Sequence, residues 1–199
     1  MPDPSSLEYW VDLINSRNGH GGVFATANTS GVTELVERGI AEEFADALAH
    51  TDGLLLSDVI SNSDDPPDCF ATVDDRMIGI ELVELVDAKA LAKAKKGHSP
   101  FKNSGQFLET QWDRNRFVDK VNALIDAKHH KYKVKSHVFD CLLIYTAEPW
   151  LLPNDVTGWL DETTFDPRAS FKSTYLLMSY DPSHSQQHWP LFNVYGRLE

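Results

Sequence analysis

The stretch that decides the fold is DDPPDCFATVDDRMIGIELVEL, residues 64–85. Within and beside it, residues 68–73 and 77–86 form two apolar, β-branched runs bounded by turn-forming residues, the pattern typical of strands. Asp74 and Asp75 separate these runs as a tight connection. A third run, residues 53–60, precedes them across another turn-forming segment, so the sequence predicts an antiparallel meander of three strands.

Helical periodicity is found on both sides of this meander. Residues 33–49 repeat apolar side chains at helical spacing, with a point at Gly39 where the helix can break. The clearest helical pattern covers residues 107–131. One face of that helix has a stripe of five residues, namely Phe117, Val121, Leu124, Ile125 and Lys128. Two shorter helices are predicted over residues 7–14 and 88–96.

Three further strands are predicted towards the C-terminus, over residues 138–146, 174–180 and 191–195. Residues 150–171 are expected to be irregular, with one helical turn. The order of these elements predicts one α/β domain over residues 1–199, with a mixed, mostly antiparallel sheet flanked by helices. Residues 147–199 form an extension of this domain that either adds strands or acts as a lid.

Composition excludes several classes of protein. The chain has 199 residues, 42% of them hydrophobic, which is enough for a buried core and excludes wholesale disorder. Its longest apolar runs fall far short of the roughly 20 residues that a membrane span requires. The N-terminus lacks the features of a signal peptide, and Cys69 and Cys141 show no disulfide or metal spacing. We therefore expect a cytoplasmic protein without a membrane segment.

Charge is distributed unevenly along the chain. The formal net charge is −12, and residues 1–86 have 3 basic and 17 acidic side chains. Residues 87–137, in contrast, have 12 basic and 5 acidic side chains. Such a segment can form a local positive patch that attracts phosphates. Two solvated, lysine-rich helices would have the same composition, so the sequence permits a nucleic-acid interface without requiring one.

Two carboxylates in the meander are candidates for chemistry. Asp68 opens one strand, Glu81 lies in the middle of the next, and each is roughly six residues from the turn, so a hairpin would bring them together. Carboxylates this close repel each other unless a hard cation such as Mg²⁺ or Mn²⁺ lies between them. An unpaired carboxylate inside an apolar strand is costly, which is a reason to suspect a role for Glu81. The alternative interpretation is a salt-bridged Glu81 and a turn residue Asp68.

The arrangement Pro67-Asp68 … Ile80-Glu81-Leu82-Val83, followed by a helix and an apolar strand, resembles the PD-(D/E)XK nuclease superfamily, also called restriction-endonuclease-like. The resemblance covers about residues 42 to 145. It implies a nuclease-like core over about 33–146 and metal-dependent hydrolysis of phosphodiester bonds in nucleic acid. In that family the two acids bind one or two divalent metals, which here implies Mg²⁺ or Mn²⁺ on Asp68 and Glu81. A glutamate of the preceding helix often joins them, which indicates Glu42 or its neighbour Glu43.

One position departs from the family pattern. The superfamily places a lysine two residues after the acid, and this chain has Val83 there. Strand alternation puts Glu84 on the opposite face, so it does not replace the lysine. One hypothesis is that the lysine has moved to the neighbouring helix, where Lys128 is the first candidate and Lys120, at the edge of the stripe, the second. A lysine in an apolar stripe is otherwise explained by a packed stem with its ammonium in water.

The other hypothesis is that the site has decayed and the fold is kept as a protein- or nucleic-acid-binding module. An acidic chain of this kind would suit a basic protein partner, as in an immunity or antitoxin role. On the nuclease hypothesis, Lys128 orients the attacking water or stabilises the developing oxyanion. The side chains expected to meet phosphates are then Lys93, Lys95, Lys96, Lys102, Arg114 and Arg116.

Overall fold

The computed structural model describes residues 32–64, 66–87, 112–146, 148, 151–179 and 188–199. The predicted helices over 7–14 and 88–96 lie outside these residues. In chain order, the described elements are α1 (Val32–Thr51), β1 (Ser57–Ser61), β2 (Cys69–Val73), β3 (Arg76–Glu84), α2 (Arg114–Lys133), β4 (Phe139–Thr146), α3 (Pro153–Asp161), β5 (Phe171–Met178) and β6 (Leu191–Tyr195).

The six described strands form one sheet in the order β1-β2-β3-β4-β5-β6. The first three strands are an antiparallel meander, as predicted. Strand β4 lies parallel to β3, β5 lies parallel to β4, and β6 returns antiparallel to β5. The sheet is therefore mixed, with three antiparallel pairings and two parallel ones. The strands of the C-terminal extension continue this sheet.

Helices cover both faces of the sheet. On one face, Ile40, Phe44 and Leu48 of α1 belong to a buried cluster with Ile78, Ile80 and Leu82 of β3. On the other face, Phe117, Val121 and Ile125 of α2 belong to a second cluster with Leu142 and Ile144 of β4. Successive residues of a strand point to opposite faces of the sheet. Ile80 and Leu82 point towards α1, so Glu81, which lies between them, points towards α2.

The hairpin between β2 and β3 is set by its turn. Val73 pairs with Arg76 across a connection of two residues, Asp74 and Asp75, whose φ angles are 46° and 62°. Positive φ at both central residues is the geometry of the hairpin turn that matches the twist of the strands, and aspartate tolerates it better than most residues. The turn therefore fixes the register between β2 and β3.

Three helix predictions differ from the structure. Helix α1 runs without a break through Gly39, because the cost of one glycine, about 1 kcal/mol, is small beside the packing of its apolar face. Helix α2 starts at Arg114 rather than at 107, since Asp113 caps it by accepting a hydrogen bond from the Arg116 N–H at 2.8 Å. The segment expected to be irregular contains α3, which has Pro153 in its first turn and buries Val156.

Two predictions drawn from composition can be compared with the described residues. No helix among them is both long and apolar enough to cross a membrane. Cys69 and Cys141 are both buried and free, and both belong to the cluster under α1. They act there as small core residues.

Candidate active site

The β2–β3 hairpin places Asp68 beside Glu81. The register pairs Cys69 with Ile80, so Asp68 is the next residue outward on its strand and lies at the level of Glu81. Its carboxylate Oδ2 accepts a hydrogen bond from the backbone N–H of Leu82 at 2.6 Å. The two acidic positions are thus neighbours, as the count of residues from the turn predicts.

Glu81 is an ionisable side chain in the core, with 0% of its surface exposed. Its Oε1 accepts hydrogen bonds from the Lys128 ammonium, at 2.5 Å, and from the hydroxyl of Tyr132. Its Oε2 is buried and has no hydrogen-bond partner in the part of the chain that the structure describes. A buried carboxylate is tolerated only when it is paired, and here all the pairing falls on one of its two oxygens.

Lys128 reaches this carboxylate from the other layer of the fold. It lies on the face of α2 that packs against the sheet, and only 18% of its side chain is exposed. Its ammonium therefore binds Glu81 instead of extending into water as a packed surface lysine would. Val83, at the position where the family has its lysine, packs against the apolar cluster under α2. Lys120, the other lysine considered, is also partly buried on α2.

Tyr132 completes the group and was not among the residues singled out from the sequence. It follows Lys128 by four positions, so the two side chains lie on the same face of α2. The signal was present, because Tyr132 extends the stripe of apolar residues by one more helical turn. Its ring is 1% exposed and packs edge-on against Phe139 at 4.8 Å between ring centroids.

The structure does not bring Glu42 into this group. Glu42 is half-exposed on α1 and pairs with Arg38 of the same helix at 3.1 Å. Helix α1 covers the face of the sheet opposite the one that Glu81 faces, which is why the two carboxylates stay apart. Among the described residues, no group of three His, Cys, Asp or Glu side chains is arranged to hold a metal ion.

Glu43 has different surroundings from its neighbour. It is partly buried, and its Oε2 is buried with no hydrogen-bond partner among the described residues. Burial raises the pKa of its carboxyl group from 4.5 to about 7. Without a bound cation, the carboxyl group of Glu43 is thus only partly ionised near pH 7.

Acidic side chains are concentrated near the start of β2. Burial, and after it the charges of Glu37, Asp68, Glu42 and Glu81, together raise the pKa of the Cys69 thiol to about 12. Cys69 consequently stays a neutral thiol and is excluded as a nucleophile. The same charges produce a negative potential at this end of the sheet, which attracts cations.

The two arginines predicted to meet phosphates have partners within the chain. Arg116 pairs with Asp87 at 2.5 Å and lies over the ring of Trp112, 4.6 Å from its centroid. Arg114 pairs with Glu162 at 3.4 Å and also donates to its backbone carbonyl at 2.7 Å. Both guanidinium groups therefore tie α2 to neighbouring segments, and the geometry does not favour them as phosphate contacts. The other predicted contacts, Lys93, Lys95, Lys96 and Lys102, lie outside the described residues.

The group as a whole combines two neighbouring carboxylates, an ammonium and a phenol hydroxyl. Oxygen ligands of this kind suit a hard divalent cation. The buried Oε2 of Glu81, which has no hydrogen-bond partner among the described residues, is an acceptor that such an ion could use. Comparison with known protein families, with curated proteins and with solved structures found no match to this chain, so its function has to be inferred from the contacts around Glu81.

Proposed function

We propose that this chain is a Mg²⁺- or Mn²⁺-dependent phosphodiesterase acting on nucleic acid, of the PD-(D/E)XK type. The observation that carries the proposal is the 2.5 Å contact between the Lys128 ammonium and the Glu81 carboxylate. In the superfamily that the sequence resembles, a lysine on the strand of the second acid, two residues after it, helps to orient or activate the attacking water. Here that position is Val83, and α2 supplies an ammonium to the same carboxylate.

The order of elements supports the same assignment. Helix α1, the meander β1–β3, helix α2 and the parallel strand β4 follow one another along the chain. Apart from the helix predicted over 88–96, which lies outside the described residues, this is the order of elements over about residues 33–146 to which the resemblance assigns a restriction-endonuclease-like core. Asp68 and Glu81 lie at its central hairpin, near the start of β2, where acidic side chains are concentrated.

The side chains divide the chemistry between them. Asp68 and Glu81 would hold the cation, and two carboxylates suffice because Mg²⁺ usually completes its coordination with water and substrate phosphates. When bound, the cation supplies Lewis-acid charge that lowers the pKa of a water molecule and neutralises the scissile phosphate. Lys128 donates a hydrogen bond to the attacking water or to the developing oxyanion. Glu42 has no part in this arrangement.

A second candidate function is a binding module in which the site has decayed. The complete burial of Glu81 favours it, because a buried carboxylate paired with one lysine also occurs as a purely structural ion pair. The internal pairing of Arg114 and Arg116 agrees with it as well. In that case the chain binds a protein or a nucleic acid without cleaving it, as in an immunity or antitoxin role.

The test is calorimetric titration of Mn²⁺ into the folded protein, together with incubation on mixed DNA and RNA. We expect one specific site that is lost in Asp68→Asn and in Glu81→Gln, with metal-dependent cleavage lost alongside it. Lys128→Met should reduce cleavage at saturating Mn²⁺ by about 100-fold, the usual effect of removing one donor that stabilises the transition state. Lys120→Met is the matched control on the same helix and should cleave as the wild type does.

The outcomes separate the two functions. Lys128→Met leaves Glu81 with fewer partners, so thermal melts must first show that the variant is folded. Binding of Mn²⁺ that neither carboxylate variant changes, or no binding at all, would contradict the nuclease. For a decayed site we expect the double replacement Glu81→Met/Lys128→Met to be neutral or stabilising, since an apolar pair avoids the desolvation of two charges.

A further inference from the structure

The two oxygens of Glu81 have unequal surroundings. Both donors, the ammonium of Lys128 and the hydroxyl of Tyr132, bind Oε1. Oε2 is equally buried and has no hydrogen-bond partner among the described residues. Each carboxylate oxygen has room for about two donors, so the acceptor capacity of Oε1 is used and that of Oε2 stays open.

The two donors differ in how firmly they are held. Lys128 is partly exposed and ends a flexible four-carbon stem, so its ammonium can turn towards a ligand. The ring of Tyr132 is 1% exposed and is enclosed by Phe139, by Phe171 at 6.4 Å and by a stacked His137 at 6.2 Å between centroids. Its hydroxyl is therefore the rigid partner of the carboxylate.

We infer that Tyr132 is a positioning residue that holds Oε1 of Glu81 and thereby presents Oε2 to a divalent cation. The inference rests on the proposed function and adds a residue to it. With Tyr132 in place, the ammonium of Lys128 can leave Oε1 for a substrate phosphate without stranding a buried carboxylate. Partners that orient a metal ligand in this way commonly contribute 10- to 100-fold to metal affinity.

The test is Tyr132→Phe, which removes the hydroxyl and keeps the ring contacts. We expect the Kd for Mn²⁺, measured by calorimetry, to rise about tenfold, and cleavage to recover to within a few-fold of wild type at saturating Mn²⁺. The matched control is Tyr175→Phe, because Tyr175 is equally buried at 1% exposure and its hydroxyl accepts the N–H of Leu198 at 3.2 Å. That variant should bind Mn²⁺ as the wild type does, since a merely structural hydroxyl does not change the metal affinity.

A second measurement on the wild-type protein does not depend on how the variant folds. Mn²⁺ is paramagnetic and broadens the nuclear magnetic resonances of nearby protons, so it should broaden the ring signals of Tyr132 well before those of Tyr175. Unchanged Mn²⁺ affinity in folded Tyr132→Phe would overturn the role of Tyr132 alone. Equal broadening of both rings would mean that the ion does not bind at Glu81, and would overturn the proposed metal site together with this inference. A wild-type protein that binds no Mn²⁺ would overturn the proposed function and this inference together.

Discussion

Two buried or partly buried glutamates, Glu81 and Glu43, differ in the hydrogen-bond donors around their carboxyl groups. Glu81 and Glu43 each have a buried Oε2 without a hydrogen-bond partner among the described residues. Glu81 has two donors on its other oxygen, the Lys128 ammonium and the Tyr132 hydroxyl. Burial raises the pKa of the Glu43 carboxyl group to about 7. The first carboxylate can serve a cation, and the second makes stability depend on pH.

We predict that Glu43→Gln stabilises the protein at pH 8 and has little effect at pH 4. The pKa of Glu43 is raised on folding from 4.5 to about 7, so the unfolded chain ionises first and stability falls as pH rises through that interval. Glutamine removes this loss, which we put at about 1 to 2 kcal/mol after allowing for solvent screening of a group that is only partly buried. Urea unfolding at both pH values measures it.

The neighbouring substitution Glu42→Gln is the control. Glu42 is half-exposed and pairs with Arg38, so we expect its effect on the free energy of unfolding to be small and to lack the rise at pH 8. An equal gain from Glu43→Gln at pH 4 and pH 8 would show that ionisation of Glu43 is not the cause.

At the scale of elements, α2 has to be held in place because it supplies both donors to Glu81. Its N-terminus is capped by Asp113, and the guanidinium groups of its first turn are paired with Glu162 and Asp87. Its apolar face packs under the sheet through Phe117, Val121 and Ile125. The periodicity of the sequence predicted this face correctly, whereas the start of the helix depended on the cap.

We predict that Asp113→Ala destabilises the protein by about 1 kcal/mol, the usual cost of losing an N-cap side chain. The reason is that the N–H of Arg116 loses the carboxylate that accepts its hydrogen bond at 2.8 Å. Asp113→Asn, which keeps an acceptor at that place, should stay within about 0.5 kcal/mol of wild type. Thermal or urea unfolding of the three proteins measures this, and equal loss in both variants would argue against the cap.

On the scale of the whole molecule, β4 is an inner strand of the sheet. It pairs with β3 on one side and β5 on the other, and Cys141, Leu142, Leu143 and Ile144 are each 0% exposed. The described strands β5 and β6 and helix α3 are thus part of the core and not an appendage to it. Helix α3 contributes to the same layer as α2, with Trp159 lying 5.4 Å from Phe117 between ring centroids.

We predict that a chain ending at residue 146 does not fold cooperatively. Removing β5 and β6 would leave β4 as an edge strand with unpaired backbone groups, and would expose Leu142 and Ile144 to water. Circular dichroism melts should show a cooperative transition for the full chain and none for the truncated one. A native-like melt of the truncated chain would show that residues 1–146 suffice for the fold.

The sequence by itself determined the local features of this protein. Turn residues and short apolar runs predicted the meander β1–β3, helical periodicity predicted the buried face of α2, and the count from the turn predicted that Asp68 and Glu81 would be neighbours. These features depend on contacts between residues close in sequence, or on a hairpin register that one turn determines.

Only the tertiary structure decided which helix packs on which face of the sheet. It placed α1, with Glu42, opposite the face of Glu81, and it brought Lys128 and Tyr132 from α2 onto the same carboxylate oxygen. The sequence marked Lys128 as a candidate and left its partner open, because 47 residues separate it from Glu81. Contacts over such a distance follow from how the layers pack, and no local pattern records that packing.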